Sequence, residues 1–342
     1  MKRKQFISSI IPATLSVKAM AHGLDEPQPE RKIHIPPYLQ PGNTIGITSP
    51  AGYITLEDIG PAVKKITGWG YNVKIGSSIG RRDFTFGGTD AERAADFQAM
   101  LNDADVHAIM CARGGYGFVR IIDRIDFSLF KKKPKWLIGF SDITVLHSHI
   151  NKLYHTASIH SKMCNSFPAD WNLAEPIQRE TIESLRRCLA GEKMEYTAAF
   201  NANNKFGKAR GTLVGGNLKI LETLSGSRSD ISTKNKILFV EDTGEYLYSL
   251  DRMFWNLQRS GKLNELAGLI IGGFKIKKDD SEDEAFGKTL EEIVLEKIRD
   301  CSYPVCFEFP VGHQKNNFAL KCGVMHELNV TADGTTLNEK SK

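Results

Sequence analysis

Ser141 stands where an apolar run ends and a helical repeat begins. Residues 136–140 (Trp-Leu-Ile-Gly-Phe) suffice for one buried strand, and from there Ile143, Leu146, Ile150 and Leu153 recur every three or four residues. A strand that turns sharply into a helix can push a serine Oγ outward as a nucleophile. The N–H groups at the helix start then face a developing oxyanion. The same pattern fits a helix N-cap serine, a common use of the residue. The G-x-S-x-G form of the elbow is incomplete, because Ile143 takes the place of the second glycine.

A serine nucleophile needs a base, and the base needs a group to fix its tautomer. Residues 237–240 (Ile-Leu-Phe-Val) run into Glu241-Asp242, two carboxylates at a strand's end, and Glu241 continues the strand toward a crevice. Glu245 is a second candidate, and solvent exposure is the common fate of such acids. Residues 309–317 (Phe-Pro-Val-Gly-His-Gln-Lys-Asn-Asn) place His313 in a polar loop just after another apolar run. Gly114-Gly115-Tyr116-Gly117 follows a further strand pattern. It is not a dinucleotide or P-loop signature, since Arg120 replaces the third glycine and no Lys-Ser/Thr follows. It fits either a tight turn needing positive φ or a set of backbone N–H groups completing an oxyanion site. Ser141, Glu241 and His313 share the chain order Ser–acid–His with α/β-hydrolases.

Elements must position these groups. Strand patterns at residues 44–50, 71–75, 106–111 and 136–140 alternate with helical patterns at 58–68, 89–101 and 118–125. This is the rhythm of βαβ units in a parallel sheet. In such sheets ligands bind beyond the carboxyl ends of the strands, where both the glycine turn and Ser141 lie. Thr89 and Glu92 form a capping-box pair, and Pro176 opens a helix over 176–190. The expected organisation is an N-terminal α/β domain over 33–190 and a polar, Asn-rich linker over 191–208. A smaller mixed α/β domain then covers 209–335, with strands at 236–240, 266–274, 305–309 and 324–330 and helices at 247–257 and 290–300.

Length and charge set bounds. At 342 residues two domains are the default. Four of the five net positive charges come from Lys2, Arg3, Lys4 and Lys18, so the remainder is nearly neutral and gives nucleic-acid binding no electrostatic support. No apolar stretch reaches the length of a membrane-spanning helix. Residues 1–21 read as an export signal: a basic start, an apolar segment and Ala19-Met20-Ala21 as a cleavage site. The expected location is periplasmic or otherwise exported, with the cytoplasm as the alternative. The six cysteines form no C-x-x-C pair. Cys111 and Cys306 lie in apolar runs as buried thiols, and the pairing state stays open.

The motifs together resemble the LD-carboxypeptidase family, serine peptidases of the muramoyltetrapeptide carboxypeptidase type. The resemblance spans about residues 33–330. It rests on residues 112–117, 138–142, 211–217 and 238–242, on Tyr248 and Asp251-Arg252, and on 309–313. It implies Ser141 as nucleophile, His313 as general base and then acid, and Glu241 as its orienter. The N–H groups of Gly115 and Asp142 become the oxyanion donors. It also implies a homodimer, no metal or other cofactor, and release of a terminal D-amino acid, typically D-Ala, from murein tetrapeptides. One departure stands out: His160-Ser161-Lys162 replaces the family's His-Gly-Pro near the substrate. The competing readings are hydrolysis of a peptide–nucleotide antibiotic, as in a sister branch of the family, and muropeptide binding without turnover.

Overall fold

The computed structural model describes residues 33–278 and 285–340; the export segment expected at 1–21 lies outside them. The first half runs β1 (Thr44–Thr48), α1 (Leu56–Gly68), β2 (Asn72–Ile75), α2 (Asp90–Asn102), β3 (Val106–Cys111), α3 (Ser128–Lys132), β4 (Trp136–Gly139), α4 (Thr144–Tyr154), β5 (Ser158–His160) and α5 (Pro176–Leu189). The second half runs β6 (Glu195–Ala198), β7 (Gly207–Asn217), α6 (Leu218–Thr223), β8 (Lys236–Glu245), α7 (Leu247–Arg259), β9 (Gly268–Ile276), α8 (Leu290–Lys297), β10 (Val305–Cys306), β11 (Leu320–Cys322), β12 (Met325–Thr331) and β13 (Gly334–Glu339).

Start signals in the sequence set several helix ends. Thr89 caps α2 and Glu92 returns the bond, while Thr55 with Asp58 and Thr289 with Glu292 do the same for α1 and α8. Pro176 opens α5 as its first residue.

Two sheets result, with strand orders β11-β5-β4-β3-β1-β2 and β10-β9-β8-β7-β12-β13-β6. β1 to β5 pair in parallel, which places the ends of β3 and β4 on one edge of the sheet. The second sheet is mixed: β7 to β10 are parallel, and β12, β13 and β6 add antiparallel. The halves interlock, because β11 from the second half closes the first sheet antiparallel to β5. One apolar core, including Ile45, Ile138, Ile159, Phe239 and Leu320, spans both sheets. The interlock carries the loop between β10 and β11, which holds His313, toward the edge where β4 ends.

Three segments differ from the sequence expectation. Residues 118–125 form two 3-10 turns, Phe118–Arg120 and Ile122–Arg124, instead of one helix. Phe118, Ile121, Ile122 and Ile125 are buried all the same, so the spacing is satisfied without a continuous helix. Residues 191–208 are not a bare linker. They contain β6, which pairs with β13, and Tyr196 within it is buried and bonds the Ala319 carbonyl. The strand expected at 305–309 pairs only at Val305 and Cys306, because Glu308 turns to φ +56. All six cysteines are free thiols.

Ile143, in the position of the elbow's missing glycine, packs onto Gly139 of β4. A Cβ added at Gly139 would meet Ile143 Cγ1 and Cγ2 at 2.9 Å. The elbow thus keeps one glycine and fills the space above it with a branched side chain. Gly139→Ala should destabilise the protein by about 1–3 kcal/mol through overpacking. In an Ile143→Ala background, which itself loses buried core, the further change Gly139→Ala should cost much less, read from urea midpoints. An equal cost of Gly139→Ala with Ile143 present and with it truncated would rule the contact out as the cause.

Candidate active site

β4 is followed by Phe140, whose extended backbone leads into Ser141 at φ +61, the first residue of a 3-10 turn that feeds α4. A non-glycine residue at positive φ is strained. Here the strain aims the side chain at the strand's end, the geometry of a nucleophile elbow rather than of an N-cap. In agreement, the cap position of this turn falls on Phe140 and Ser141 is already its first residue. Asp142 is the second residue of the turn, ahead of the first internal acceptor for its N–H.

The glycine turn after β3 lies against the elbow. A Cβ at Gly114 would come within 3.1 Å of Ser141 Cβ. Gly115 adopts φ +96, with its Cβ position 3.6 Å from Gly52 Cα, so the turn needs glycine here. Two side chains fix it. The fully buried Arg93 donates through Nη1 to the carbonyls of Gly117 (2.9 Å) and Pro50 (2.5 Å). Asp142 Oδ2 accepts from the Phe118 N–H at 2.8 Å and joins the elbow to the end of the turn. Arg120, in the place of a third phosphate-loop glycine, forms a two-point pair with Asp90.

Burial pushes the Asp142 carboxyl up to about 6, against the N–H bond from Phe118, which favours the charged form. Asp242 is raised to about 6 by burial as well. A folded-state value above the unfolded one means that the native protein holds the proton more tightly. Stability therefore falls as pH rises from about 4 to about 6, by up to roughly 3 kcal/mol per group. Asp142→Asn keeps an acceptor for Phe118. It should flatten part of this fall and leave the Asp242 part, as urea unfolding at pH 4.5, 6 and 7.5 would reveal. An unchanged slope would refute the burial account.

In the second sheet β8 runs on past the expected strand end to Glu245, so Glu241 lies fully buried within the strand, where it meets His313. His313 Nδ1 and Glu241 Oε2 are 2.5 Å apart. With Nδ1 engaged, Nε2 is the nitrogen left for a reacting group. Gly312 makes this contact possible: it sits at φ +104, and a Cβ there would lie 2.4 Å from Glu241 Cβ. Asn317 Oδ1 accepts from the Gly312 N–H (2.8 Å), and Gln314 Nε2 donates to the Phe309 carbonyl (2.9 Å), which pins the loop.

The halves meet at Phe140, the residue before Ser141. Its ring lies 5.0 Å from the His313 imidazole. No hydrogen bond joins Ser141 to His313 among the described residues; such bonds often tighten only when substrate binds. Thr144, early in α4, is tied to the second sheet: its Oγ1 accepts from the Asn217 N–H at 3.0 Å, and Asn217 Nδ2 donates to Asp242. A Cβ at Gly216 would strike Thr144 Oγ1 at 2.4 Å, so the Gly-Gly-Asn run lets β7 approach the elbow.

His313 opens on two cavities of about 570 and 540 Å³, both also lined by Lys275 and Gln314. A third, of about 210 Å³, adjoins Gly115 and is lined by Arg82, Arg113 and Tyr53.

The LD-carboxypeptidase N-terminal domain matches residues 45–161, and the LD-carboxypeptidase C-terminal domain matches residues 210–328. A probable murein peptide carboxypeptidase of Bacillus subtilis is 32% identical over 310 residues, covering 89% of this chain and 94% of that protein. The chain belongs to the LD-carboxypeptidase family. The crystal structure of muramoyltetrapeptide carboxypeptidase from Oxalobacter formigenes superposes with a TM-score of 0.76 at 27% identity, covering 87% of this chain and 99% of that one. The microcin C7 self-immunity protein MccF, solved in complex with aspartyl sulfamoyl adenosine, shares the fold. Its TM-score is 0.78 at 22% identity, over 90% of this chain and 99% of that one.

The second acid candidate, Glu245, and the other histidines around the elbow take structural places. Glu245 closes β8 without contact to His313. His147 is buried between Ser158 Oγ (2.8 Å) and the Gly139 carbonyl (2.9 Å), and burial lowers it to about 4. His149 bonds Ser229 Oγ at 2.8 Å. His160 is buried edge-on between Phe140 and Phe239. Among the described residues no group of three or more His, Cys, Asp or Glu is placed to hold a metal ion. Sequence reasoning missed Arg93, the Asp142 carboxylate and Lys162; of these Lys162 had carried a signal, as part of the altered His-Gly-Pro segment, while Gly312 was already part of the turn before His313.

Proposed function

We propose that this protein is a serine-type LD-carboxypeptidase that removes the terminal D-amino acid, typically D-Ala, from murein tetrapeptides during cell-wall turnover. The observation that carries this reading is the buried Glu241–His313 pair at 2.5 Å, held through Phe140 beside a serine on a positive-φ elbow. Three positioned parts of this kind are what acyl transfer requires. Names of relatives support the substrate class: a murein peptide carboxypeptidase and a muramoyltetrapeptide carboxypeptidase.

Ser141 Oγ attacks the carbonyl carbon of the scissile amide while His313 Nε2 takes its proton. Glu241 holds Nδ1 protonated and stabilises the imidazolium. The N–H groups of Gly115 and Asp142 receive the oxyanion. The imidazolium then protonates the leaving nitrogen, the C–N bond breaks, and the free D-amino acid departs. Water, deprotonated by His313, attacks the Ser141 ester and restores the serine. The Arg82–Arg113 pocket adjoins Gly115 and offers two guanidinium groups to a peptide rich in carboxylates.

The assay compares a murein tetrapeptide ending in D-Ala with its L-Ala epimer and with an aminoacyl nucleotide amide. D-Ala should be released and the other two left intact. Cleavage of the nucleotide conjugate in preference would favour the MccF-like activity instead. Export through residues 1–21 and a homodimeric state belong to this reading. An intact Met1 at the N-terminus of the native protein, read by mass spectrometry, would contradict export.

A further inference from the structure

A leaving amino acid carries its carboxylate two bonds from the nitrogen that His313 protonates. That carboxylate must therefore sit on the His313 side of the scissile bond, across from Gly115. The cavity there, about 540 Å³, is lined by Phe140, Lys162, Lys275, His313, Gln314 and Lys315. Lys315 is paired with Glu175 at 2.6 Å. Lys162 and Lys275 make no ion pair among the described residues. Lys162 Nζ donates to the Gln314 carbonyl at 2.6 Å and lies 5.7 Å above the Phe140 ring, which also contacts His313. Glu241 Oε2 is taken by His313, so Glu241 reaches Lys162 only as a charge at a distance and forms no ion pair with it.

Holding an ammonium in a cavity without a directly paired carboxylate is costly unless an anion completes the site. We propose that Lys162, assisted by Lys275, is the receptor for the terminal carboxylate of the departing amino acid, so that the residue replacing the family's proline selects for a free C-terminus. The proposal rests on the carboxypeptidase reading for the direction of the leaving group. Burial, followed by the charge of Lys275, pulls Lys162 down to about 8, against the smaller opposing pull of Glu241. A bound carboxylate opposes both effects and holds the ammonium charged.

A purely structural lysine that braces Gln314 would affect every substrate alike. The test therefore compares a tetrapeptide acid with its C-terminal amide, in wild type, Lys162→Met and Lys162→Arg. In wild type kcat/KM should favour the acid. Lys162→Met should lower that preference about 10- to 100-fold, chiefly through KM for the acid, with the amide nearly unchanged. Lys162→Arg should retain most of it. Equal losses on both substrates, or an unchanged preference, overturn the proposal. Binding of the acid and the amide to Ser141→Ala and to Ser141→Ala/Lys162→Met, by calorimetry, separates the two layers. If wild type hydrolyses neither peptide but Ser141→Ala prefers the acid in a Lys162-dependent way, the carboxypeptidase reading falls and the anion site stands. If hydrolysis is normal and neither assay shows that dependence, the anion site falls and the reading stands.

Discussion

Ser141→Ala should lower kcat by about 10⁴- to 10⁶-fold while peptide binding is kept. The nucleophile acts as a unit with its base, so removing it alone forfeits nearly all the benefit of the Glu241–His313 pair. What remains is the oxyanion site and binding. The residue's backbone makes a second, separable prediction. Ser141 sits at φ +61, where a side chain with a Cβ costs about 1 kcal/mol and glycine does not. Ser141→Gly should therefore be as inactive as Ser141→Ala yet unfold at higher urea, by about 0.5–1 kcal/mol. A glycine variant less stable than the alanine variant would mean that the elbow is not under the strain its geometry implies.

Glu241→Gln is expected to reduce kcat by about 10³- to 10⁴-fold with little change in KM. The side chain is buried and fits closely against Gly312, so an isosteric change preserves packing. An amide can donate to Nδ1 where the carboxylate accepts. The imidazole would then carry its proton on Nε2 and could not take one from Ser141. An imidazolium formed during the reaction would also lose its buried counter-charge. A loss under tenfold, with the fold intact by circular dichroism, would place the orienting role elsewhere.

The local signals in the sequence survived contact with the structure where they had enough residues to speak. β4 and α4 differ in apolar period, so the junction at Ser141 is visible in ten residues. Capping boxes such as Thr89–Glu92 are complete within four. Strands of three residues have no measurable period, and β5 and β11 escaped for that reason. β11 even contains Lys321, buried with its ammonium on Glu339 at 2.9 Å. Tyr196 is the only large apolar anchor of β6, too little to lift it from a polar run.

The pairing of Glu241 with His313 joins residues 72 apart in the chain, and no local pattern encodes such a contact. Three strand ends made it an option, and the family motifs selected it. The carboxylate of Asp142 shows the opposite failure. The motif marked its N–H as a donor, whereas its side chain proves to be the clasp between the elbow and the glycine turn.

The most direct test is chromatographic detection of free D-Ala after incubation of a murein tetrapeptide with wild-type protein and with Ser141→Ala. Wild type should release D-Ala and tripeptide in equal amounts. Ser141→Ala should bind the tetrapeptide and release none above background. Tetrapeptide bound by both proteins and cleaved by neither, or D-Ala released equally by both, would contradict a Ser141-dependent carboxypeptidase.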